Sequence, residues 1–295
     1  MDGRMQPNPI TEEYIMGMQI NTNISALNSY RNLSNTQNDL SKSLEKLSSG
    51  LRINRAADDA AGLAISEGLR SQVGGLKVAA RNAQDGISVI QTAEGALTEV
   101  HSILQRVRDL AVQAGNDSNN VDSRAHIKTE SDALGAELTR ISTSTKFNGI
   151  SLLTGATAGV GGSLSFQVGA EGGTDNQIVV NLAAADTGAV GTAVAALTFD
   201  TAANAALSIT AIDAQIKNIS TARAGLGAVQ NRFESTINSL NVSAENLTAA
   251  ESRIRDTDMA SEMVSYTRSN ILSQAGTAML AQANQSNQGV LQLLQ

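Results

Sequence analysis

The C-terminal part of the chain carries the most regular hydrophobic pattern. Between residues 212 and 254, thirteen positions follow a strict 4,3 spacing and ten of them are apolar. The apolar positions are Ile212, Ile216, Ile219, Leu226, Phe233, Ile237, Leu240, Ala244, Leu247 and Ile254, and the other three hold Arg223, Gln230 and Glu251. Six heptads with this spacing predict a coiled-coil helix of about 63 Å, which needs an apolar partner.

The N-terminal part offers that partner. One stripe with the same spacing runs through Leu69, Val73, Leu76, Ala80, Ala83, Ile87 and Ile90. It slips by about one position and continues as Ala93, Leu97, Val100, Leu104, Val107, Ala111 and Ala114, and such a slip locally overwinds a coiled coil without ending it. After a break predicted at residues 115–120, a shorter stripe follows through Ile127, Leu134, Leu138 and Ile141. We interpret the three stripes as one intramolecular helical bundle.

A different composition interrupts the helical pattern between residues 147 and 216. This segment contains no Lys or Arg and is rich in Gly, Thr, Ala and Val. Two stretches, SLSFQVGAEGG and NQIVVNLAA, alternate apolar and polar residues beside Gly-rich turns, which predicts strands. Both prolines, Pro7 and Pro9, lie near the start, so no proline breaks a helix later in the chain.

Composition excludes several classes of function. Aromatic residues number only seven, and they usually supply much of an enzyme core and its pockets. The absence of Cys excludes disulfides, thiolate metal sites and a cysteine nucleophile, and the two histidines, His101 and His126, cannot form an HExxH zinc site. The net charge of -7 argues against binding to nucleic acid or to an anionic membrane. We therefore expect neither a catalytic site nor a cofactor.

Both ends of the helical pattern lack charged residues. No charge occurs between Ile15 and Tyr30 or between Ser269 and Gln295, and the C-terminal stretch is amphipathic with Gln and Asn as its polar residues. A helix exposed on a soluble monomer normally carries charges on its wet face. A frayed tail is the alternative, but the same feature at both ends favours burial against further copies of the chain.

Several long motifs resemble one family. In the N-terminal part they are MQINTNISALNSYRNL (18–33), LEKLSSGLRINRAADDAAGLAIS (44–66), ARNAQDGISVIQTAEGAL (80–97), LQRVRDLAVQAGN (104–116) and KFNGISLL (146–153). In the C-terminal part they are SLNVSAENLTAAESRIRDTDMASEM (239–263), ILSQAGTAMLAQANQ (271–285) and the final VLQLLQ. By these residues the chain resembles the bacterial flagellins, the subunits of the flagellar filament.

The resemblance implies a fold that is mainly α with a small β insert. The N- and C-terminal segments would pair as a long antiparallel helical coiled-coil bundle, with a β-hairpin region in the middle of the chain. The implied divisions are an extension (1–17), an inner core domain (18–50 and 261–295), spoke linkers (51–62 and 252–260), rod helices (63–146 and 207–251) and a β-rich, outward-facing insert (147–206). We expect the filament protein to begin at or near Met18.

The implied function is assembly into an extracellular flagellar filament for motility. By resemblance, the chain would be exported unfolded by the flagellar type III system after an export chaperone has held its C-terminal segment. It would then polymerise with itself, next to hook–filament junction and cap proteins. No nucleic acid, membrane or metal partner is implied.

Two recognition sites also follow from the resemblance. The motif QRVRDLAVQ (105–113), together with a glutamate further along, matches the region that Toll-like receptor 5 contacts in other flagellins, and it supplies Arg106, Arg108, Asp109, Leu110 and Glu130. Asp109 stands where many relatives have Glu, which shortens one carboxylate arm. The terminal residues Val290, Leu291, Leu293 and Leu294 match a motif read by inflammasome receptors of the NAIP type, and we also expect them to serve in the filament core.

Other features have simpler interpretations. Arg52, Arg55, Asp58 and Asp59 form a charged cluster in the first spoke segment, where we expect ion pairs within or between subunits. A hook–filament junction protein and a coiled-coil or tail-fibre protein are the alternative functions. A flagellin with a protease insert is excluded, because the insert contains no His.

Overall fold

The computed structural model describes residues 22–155 and 162–293, and they fall into two compact units. Unit 1 contains the described residues up to Ser66 and from Ser252 onward, and unit 2 contains Glu67–Glu251. The elements in chain order are α1 (Ile24–Ser49), α2 (Ala60–Ala114), α3 (Val121–Ser144), β1 (Lys146–Phe147), β2 (Ile150–Ser151), β3 (Ser163–Gln167), β4 (Gln177–Asn181), α4 (Thr187–Ala195), α5 (Ala202–Arg255) and α6 (Met259–Leu293). The predicted mainly α fold with a small β insert is confirmed.

In unit 2, α2 and α5 run antiparallel. The Arg108 guanidinium pairs with Asp213, Glu94 pairs with Arg223, and Gly86 lies against the ring of Phe233, so residue numbers rise along one helix as they fall along the other. This is the pairing of N- and C-terminal segments that the two long stripes predict. The Phe233 ring packs directly on the backbone at Gly86. A Cβ at this position would lie only 2.7 Å from the ring, so the contact depends on glycine.

Burial follows the predicted stripe on α2. All seven residues of its second part are fully buried: Ala93, Leu97, Val100, Leu104, Val107, Ala111 and Ala114. Earlier on the helix the match is looser, since Ala79 is buried where the spacing predicts Ala80. On the C-terminal stripe, Ile212, Ile219, Leu226, Phe233 and Leu240 are buried, and Ile216, Ile237, Leu247 and Ile254 are half-buried.

The insert contains a helix that its composition does not predict. Residues 187–195 form α4, although Gly and β-branched residues dominate this segment. Asp186 caps α4 by accepting a hydrogen bond from the Ala189 amide at 3.0 Å. Gly191 lies so close to Gly135 of α3 that a Cβ at either position would crowd the other helix. Tertiary packing of two glycine surfaces therefore overrides the strand propensity of the segment.

Two antiparallel hairpins form the β part. Strands β1 and β2 are joined by Asn148 and Gly149, which both have positive φ angles, as a tight two-residue turn requires. Strands β3 and β4 pair from Ser163 with Asn181 to Gln167 with Gln177. Phe166 of β3 meets the Phe233 ring edge to face at a centroid distance of 5.7 Å, which anchors this hairpin on α5.

The break predicted at residues 115–120 is confirmed, whereas α5 begins earlier than predicted. Helix α2 ends at Ala114, and Asn120 begins α3 by accepting a hydrogen bond from the Ser123 amide at 2.7 Å. Helix α5 begins at Ala202, five residues before the predicted limit at 207. The hydroxyl of Thr201 accepts a hydrogen bond from the Asn204 amide at this start.

Candidate functional site

The helix pair of unit 1 is held at both of its ends. Helices α1 and α6 run antiparallel, since the side-chain amide Nδ2 of Asn23 donates to the Ala283 carbonyl at 2.8 Å while Lys46 lies 4.0 Å from Glu262. Asn23 also caps α1 by accepting from the Ala26 amide, and Gly50 ends α1 in the left-handed conformation at φ 74°.

The contact between these helices is lined by small and polar residues. Gly276 of α6 lies against Leu33, where a Cβ would come within 3.2 Å of the leucine side chain. On α6, the half-buried positions repeat at helical spacing and are Glu262, Ser265, Tyr266, Ser269, Asn270, Ser273, Gly276, Leu280 and Ala283. Among the described residues of unit 1, only Leu33 and Ile53 are buried apolar side chains. This pair therefore buries little apolar surface by itself.

The opposite side of the pair is apolar and exposed, which is the reverse of an ordinary surface helix. We define the apolar face as the large exposed hydrophobic residues of α1 and α6: Ile24, Leu27, Tyr30, Leu44, Met259, Met263, Val264, Ile271, Leu272 and Met279. On α6, six side chains line an open depression of about 470 Å³: Met263, Val264, Thr267, Arg268, Ile271 and Leu272. Exposed apolar side chains grouped around a depression of this kind mark a place where another surface binds.

Two connecting segments meet in unit 1 through their backbones. The Arg52 amide donates to the Arg255 carbonyl at 2.7 Å, and the Thr257 amide donates to the Gly50 carbonyl at 3.0 Å. The Arg52 side chain adds a hydrogen bond to the Ile254 carbonyl at 2.6 Å. The segments predicted as spoke linkers are thus tied to each other by main-chain hydrogen bonds.

The charged cluster of the first linker forms one of the expected ion pairs within the subunit, through Arg55, while its aspartates bind backbone amides. Arg55 pairs with Glu45 at 2.9 Å, outside the cluster. Asp58 accepts hydrogen bonds from the Asn54 and Arg55 amides, which lower the pKa of its carboxyl below the usual value, the bond from Arg55 having the larger effect. Asp59 accepts from the Gly62 amide at 2.8 Å, at the start of α2. The two aspartates hold backbone amides because they are short enough to reach them.

The residues of the receptor motif lie on the α2–α3 surface of unit 2. Arg106 donates two hydrogen bonds to Glu130, at 2.9 Å from Nε and 2.7 Å from Nη2. These residues lie 24 positions apart in sequence, and the antiparallel course of α2 and α3 brings them together. Both side chains remain about half exposed, at 56% and 46%.

The other motif residues point in different directions. Arg108 binds Asp213 of α5 at 2.7 Å, and this hydrogen bond raises the pKa of the guanidinium above its usual value. Asp109 is exposed. Leu110 is only 2% exposed and belongs to the bundle core, so the receptor contact expected for its side chain is corrected to a packing role. The sequence motif does not reveal this burial, although Leu110 and Val107 differ by three positions on one helix face.

The sequence gives no signal for Arg124, which joins three segments of unit 2. Its guanidinium donates to the Ala114 carbonyl at 3.1 Å, at the end of α2, and to the Asp200 carbonyl at 3.3 Å, before α5. It also donates to the Asn116 carbonyl and to the Asp117 carboxylate. The side chain is only 13% exposed, so it satisfies carbonyls that the helix end leaves without partners.

The terminal inflammasome motif lies partly outside the described residues. Val290, Leu291 and Leu293 belong to the last turns of α6, and Leu294 lies beyond the described part of the chain. No group of three or more His, Cys, Asp or Glu residues in the described ranges could hold a metal ion. Within the same ranges, no helix combines the length and apolar character needed to cross a membrane.

Comparisons with known proteins agree with one another. Residues 20–158 match the model of the bacterial flagellin N-terminal helical region, and residues 209–294 match that of the bacterial flagellin C-terminal helical region. A flagellin of Halalkalibacterium halodurans is 53% identical over 94% of this chain and all of its own length. A flagellin of Bacillus subtilis is 51% identical with the same coverage.

Among solved structures, the flagellin of Bacillus cereus is 31% identical, covers 58% of this chain and 94% of its own, and gives a TM-score of 0.47. The two family models cover α1 to α3, the first hairpin, most of α5 and the apolar face described above, and the relatives cover nearly the whole chain. The chain therefore belongs to the bacterial flagellins, which are structural proteins of the flagellar filament and not enzymes.

Proposed function

We propose that this flagellin polymerises through the apolar face of α1 and α6. The observation that carries the proposal is the inverted arrangement of α6, with small and polar residues against α1 and Met, Val, Ile and Leu toward solvent. In the proposed division of the chain, residues 18–50 and 261–295 form the inner core domain of the filament. Residues 51–62 and 252–260 are its connecting linkers.

Burial of the apolar face against further copies supplies the driving force. Exposed side chains such as Ile271 (60%) and Val264 (61%) would leave water on contact with a neighbouring subunit, and each buried Å² of apolar surface contributes about 25 cal/mol. When two different surfaces of the subunit bind each other, each added copy exposes a new surface for the next copy. If the rotation between neighbouring copies does not close a ring, a helical filament results. Beyond Arg268, the rest of α6 suits this role because it carries no charged side chain that would have to be desolvated.

Seeded elongation tests the proposal directly. Short filament fragments are mixed with the full chain or with a copy that lacks residues 270–295, and filament length is followed by electron microscopy. We expect long filaments from the full chain only. Circular dichroism of the shortened copy should show that most helix remains, because unit 2 has its own core. Elongation by the shortened copy would contradict the proposal.

We also propose the export route and the partners of the family. The chain would leave the cell unfolded through the flagellar type III system, held beforehand by an export chaperone on its C-terminal segment, and would join the filament between the junction and cap proteins. Family membership supports this proposal, and a sequence without Cys is compatible with it because no disulfide could block the channel. Secretion in cells that lack the export apparatus would contradict it.

Recognition by Toll-like receptor 5 is proposed for the free subunit. The motif match and the exposure of Arg106, Asp109 and Glu130 support it, whereas Leu110 is left out because its side chain is buried. The test compares two exposed ion pairs on the same unit. A charge-removing change of Arg106 and Glu130 should abolish receptor activation by the monomer.

The Arg140–Glu137 pair is the matched control, because its side chains are 64% and 41% exposed and form an equally short ion pair on α3. Its removal should leave receptor activation unchanged. Equal loss in both variants would show that charge on this surface, and not the motif, governs activation. Val290, Leu291, Leu293 and Leu294 remain proposed for inflammasome recognition and for the filament core.

A further inference from the structure

The methionines of the described residues all belong to one helix. The sequence contains seven methionines, and the three that lie in the described ranges are Met259, Met263 and Met279. All three belong to α6 and are 47%, 50% and 63% exposed. Within the described part of the chain, unit 2 contains no methionine.

These methionines form part of the apolar face. Met263 lines the depression on α6 together with Val264, Ile271 and Leu272. Met259 lies one helical turn before Met263, so the two side chains are neighbours on the helix surface. Met279 follows Leu272 by about two turns, so it lies on the same side of α6 as Leu272, at the other edge of the apolar face from Met263.

The chemistry of the chain concentrates oxidation on methionine. The sequence has no Cys and no Trp, so thioethers are its most readily oxidised side chains. A hydroperoxide transfers one oxygen atom to the thioether sulfur, which loses two electrons as the S–O bond forms. The O–O bond of the peroxide breaks, and its second oxygen leaves as water when hydrogen peroxide is the oxidant. The product is a polar sulfoxide in place of a flexible apolar side chain.

We propose that Met259, Met263 and Met279 form an oxidation-sensitive site that stops the free subunit from joining the filament. The inference rests on the proposed polymerisation through the apolar face. A sulfoxide oxygen buried there needs a hydrogen-bond partner, and an unsatisfied polar group lowers the association constant by about tenfold or more. Methionine sulfoxide reductases return the thioether, so the block is reversible.

Seeded elongation with peroxide-treated chain tests the proposal. The full chain is oxidised with hydrogen peroxide, the sulfoxide at each position is quantified by peptide mass analysis, and its elongation rate on untreated seeds is divided by its own rate before treatment. We expect this ratio to fall to about one tenth or less. The ratio should recover after treatment with MsrA and MsrB and a thiol reductant.

Two variants assign the effect to α6. In M259L/M263L/M279L the ratio should stay within about twofold of one, because leucine cannot form a sulfoxide. In M5L/M16L/M18L, which keeps the α6 methionines, the ratio should fall as it does in the unchanged chain. If M259L/M263L/M279L does not elongate before treatment, the fall of the ratio in M5L/M16L/M18L and its recovery with the reductases decide the assignment.

Three results would overturn the inference. One is normal elongation by a chain in which all three α6 methionines are shown to be sulfoxides, and another is an equal loss in M259L/M263L/M279L. The third is failure of the reductases to restore elongation after the sulfoxides have been removed. Failure of the untreated chain to elongate would contradict the proposed polymerisation itself, so the two failures are distinguishable.

Discussion

Placing amides on the apolar face should raise the concentration needed for polymerisation by roughly two to three orders of magnitude, because burial of apolar surface is lost. The perturbation is the double substitution Ile271→Gln and Leu272→Gln in the depression on α6. Glutamine favours helices about as much as leucine does, so α6 should keep its structure. Both residues are more than half exposed in the free chain, at 60% and 51%, and surface changes of this kind alter folding stability by about 0.5 kcal/mol or less.

The magnitude follows from the exposed fractions. Full burial of an Ile or Leu side chain contributes about 1.5–3 kcal/mol, and about half of each side chain is still exposed, so assembly gains roughly 1 kcal/mol from each. An amide left without a partner in the interface adds a penalty of about 1 kcal/mol or more. The pair then weakens subunit addition by about 3–4 kcal/mol, and each 1.4 kcal/mol corresponds to roughly a factor of ten.

The assay is the critical concentration for seeded polymerisation, measured by sedimentation of filaments at a series of total protein concentrations. Val179→Gln is the control, since Val179 lies on β4 and is 50% exposed, which matches Leu272 in exposure. We expect this control to keep the critical concentration of the unchanged chain. An unchanged critical concentration in the double variant would refute the claim that the apolar face takes part in polymerisation. An equal rise in the double variant and in Val179→Gln would refute the claim that the effect is specific to α6.

Four further substitutions test the fold. Gly95→Ala should stabilise unit 2 by up to about 1 kcal/mol, because the added Cβ meets open space and alanine favours a helix. Gly86→Ala should destabilise unit 2 by about 1–3 kcal/mol, because the added Cβ clashes with the Phe233 ring. Urea unfolding measures both changes in stability. Because the pKa of Asp58 is lowered, its stabilising hydrogen bonds are fully present above the usual carboxyl pKa and are lost as pH falls through the lowered value. Asp58→Asn should therefore remove this pH dependence from the hydrogen-exchange protection of the Asn54 and Arg55 amides. Equal acid sensitivity of these amides in both chains would contradict the prediction. Arg124→Met should lower the stability of unit 2 by about 1–3 kcal/mol, because it leaves carbonyls at the end of α2 without a donor, and thermal unfolding with unchanged stability would contradict this.

Hydrophobic periodicity alone identified the long helices. The second half of the stripe on α2, from Ala93 to Ala114, is buried without exception, because only a helix of that phase can bury every residue at this spacing. The two stretches that alternate apolar and polar residues form β3 and β4 for the corresponding reason at a period of two. The pair Asn148 and Gly149 also signals the first hairpin, since both residues tolerate positive φ.

Tertiary structure alone decided which side of each segment faces water. The amphipathic pattern of α6 is visible in the sequence, but only the position of α1 shows that its small and polar side is the covered one. Leu110 belongs to a motif whose sequence does not distinguish a core residue from a surface contact, and packing buries it. Helix α4 and the hydrogen bonds of Arg124 depend on segments far apart in the chain. Periodicity determines which residues of one helix or strand share a face. Contacts between elements determine what that face packs against, and the local sequence does not indicate these contacts.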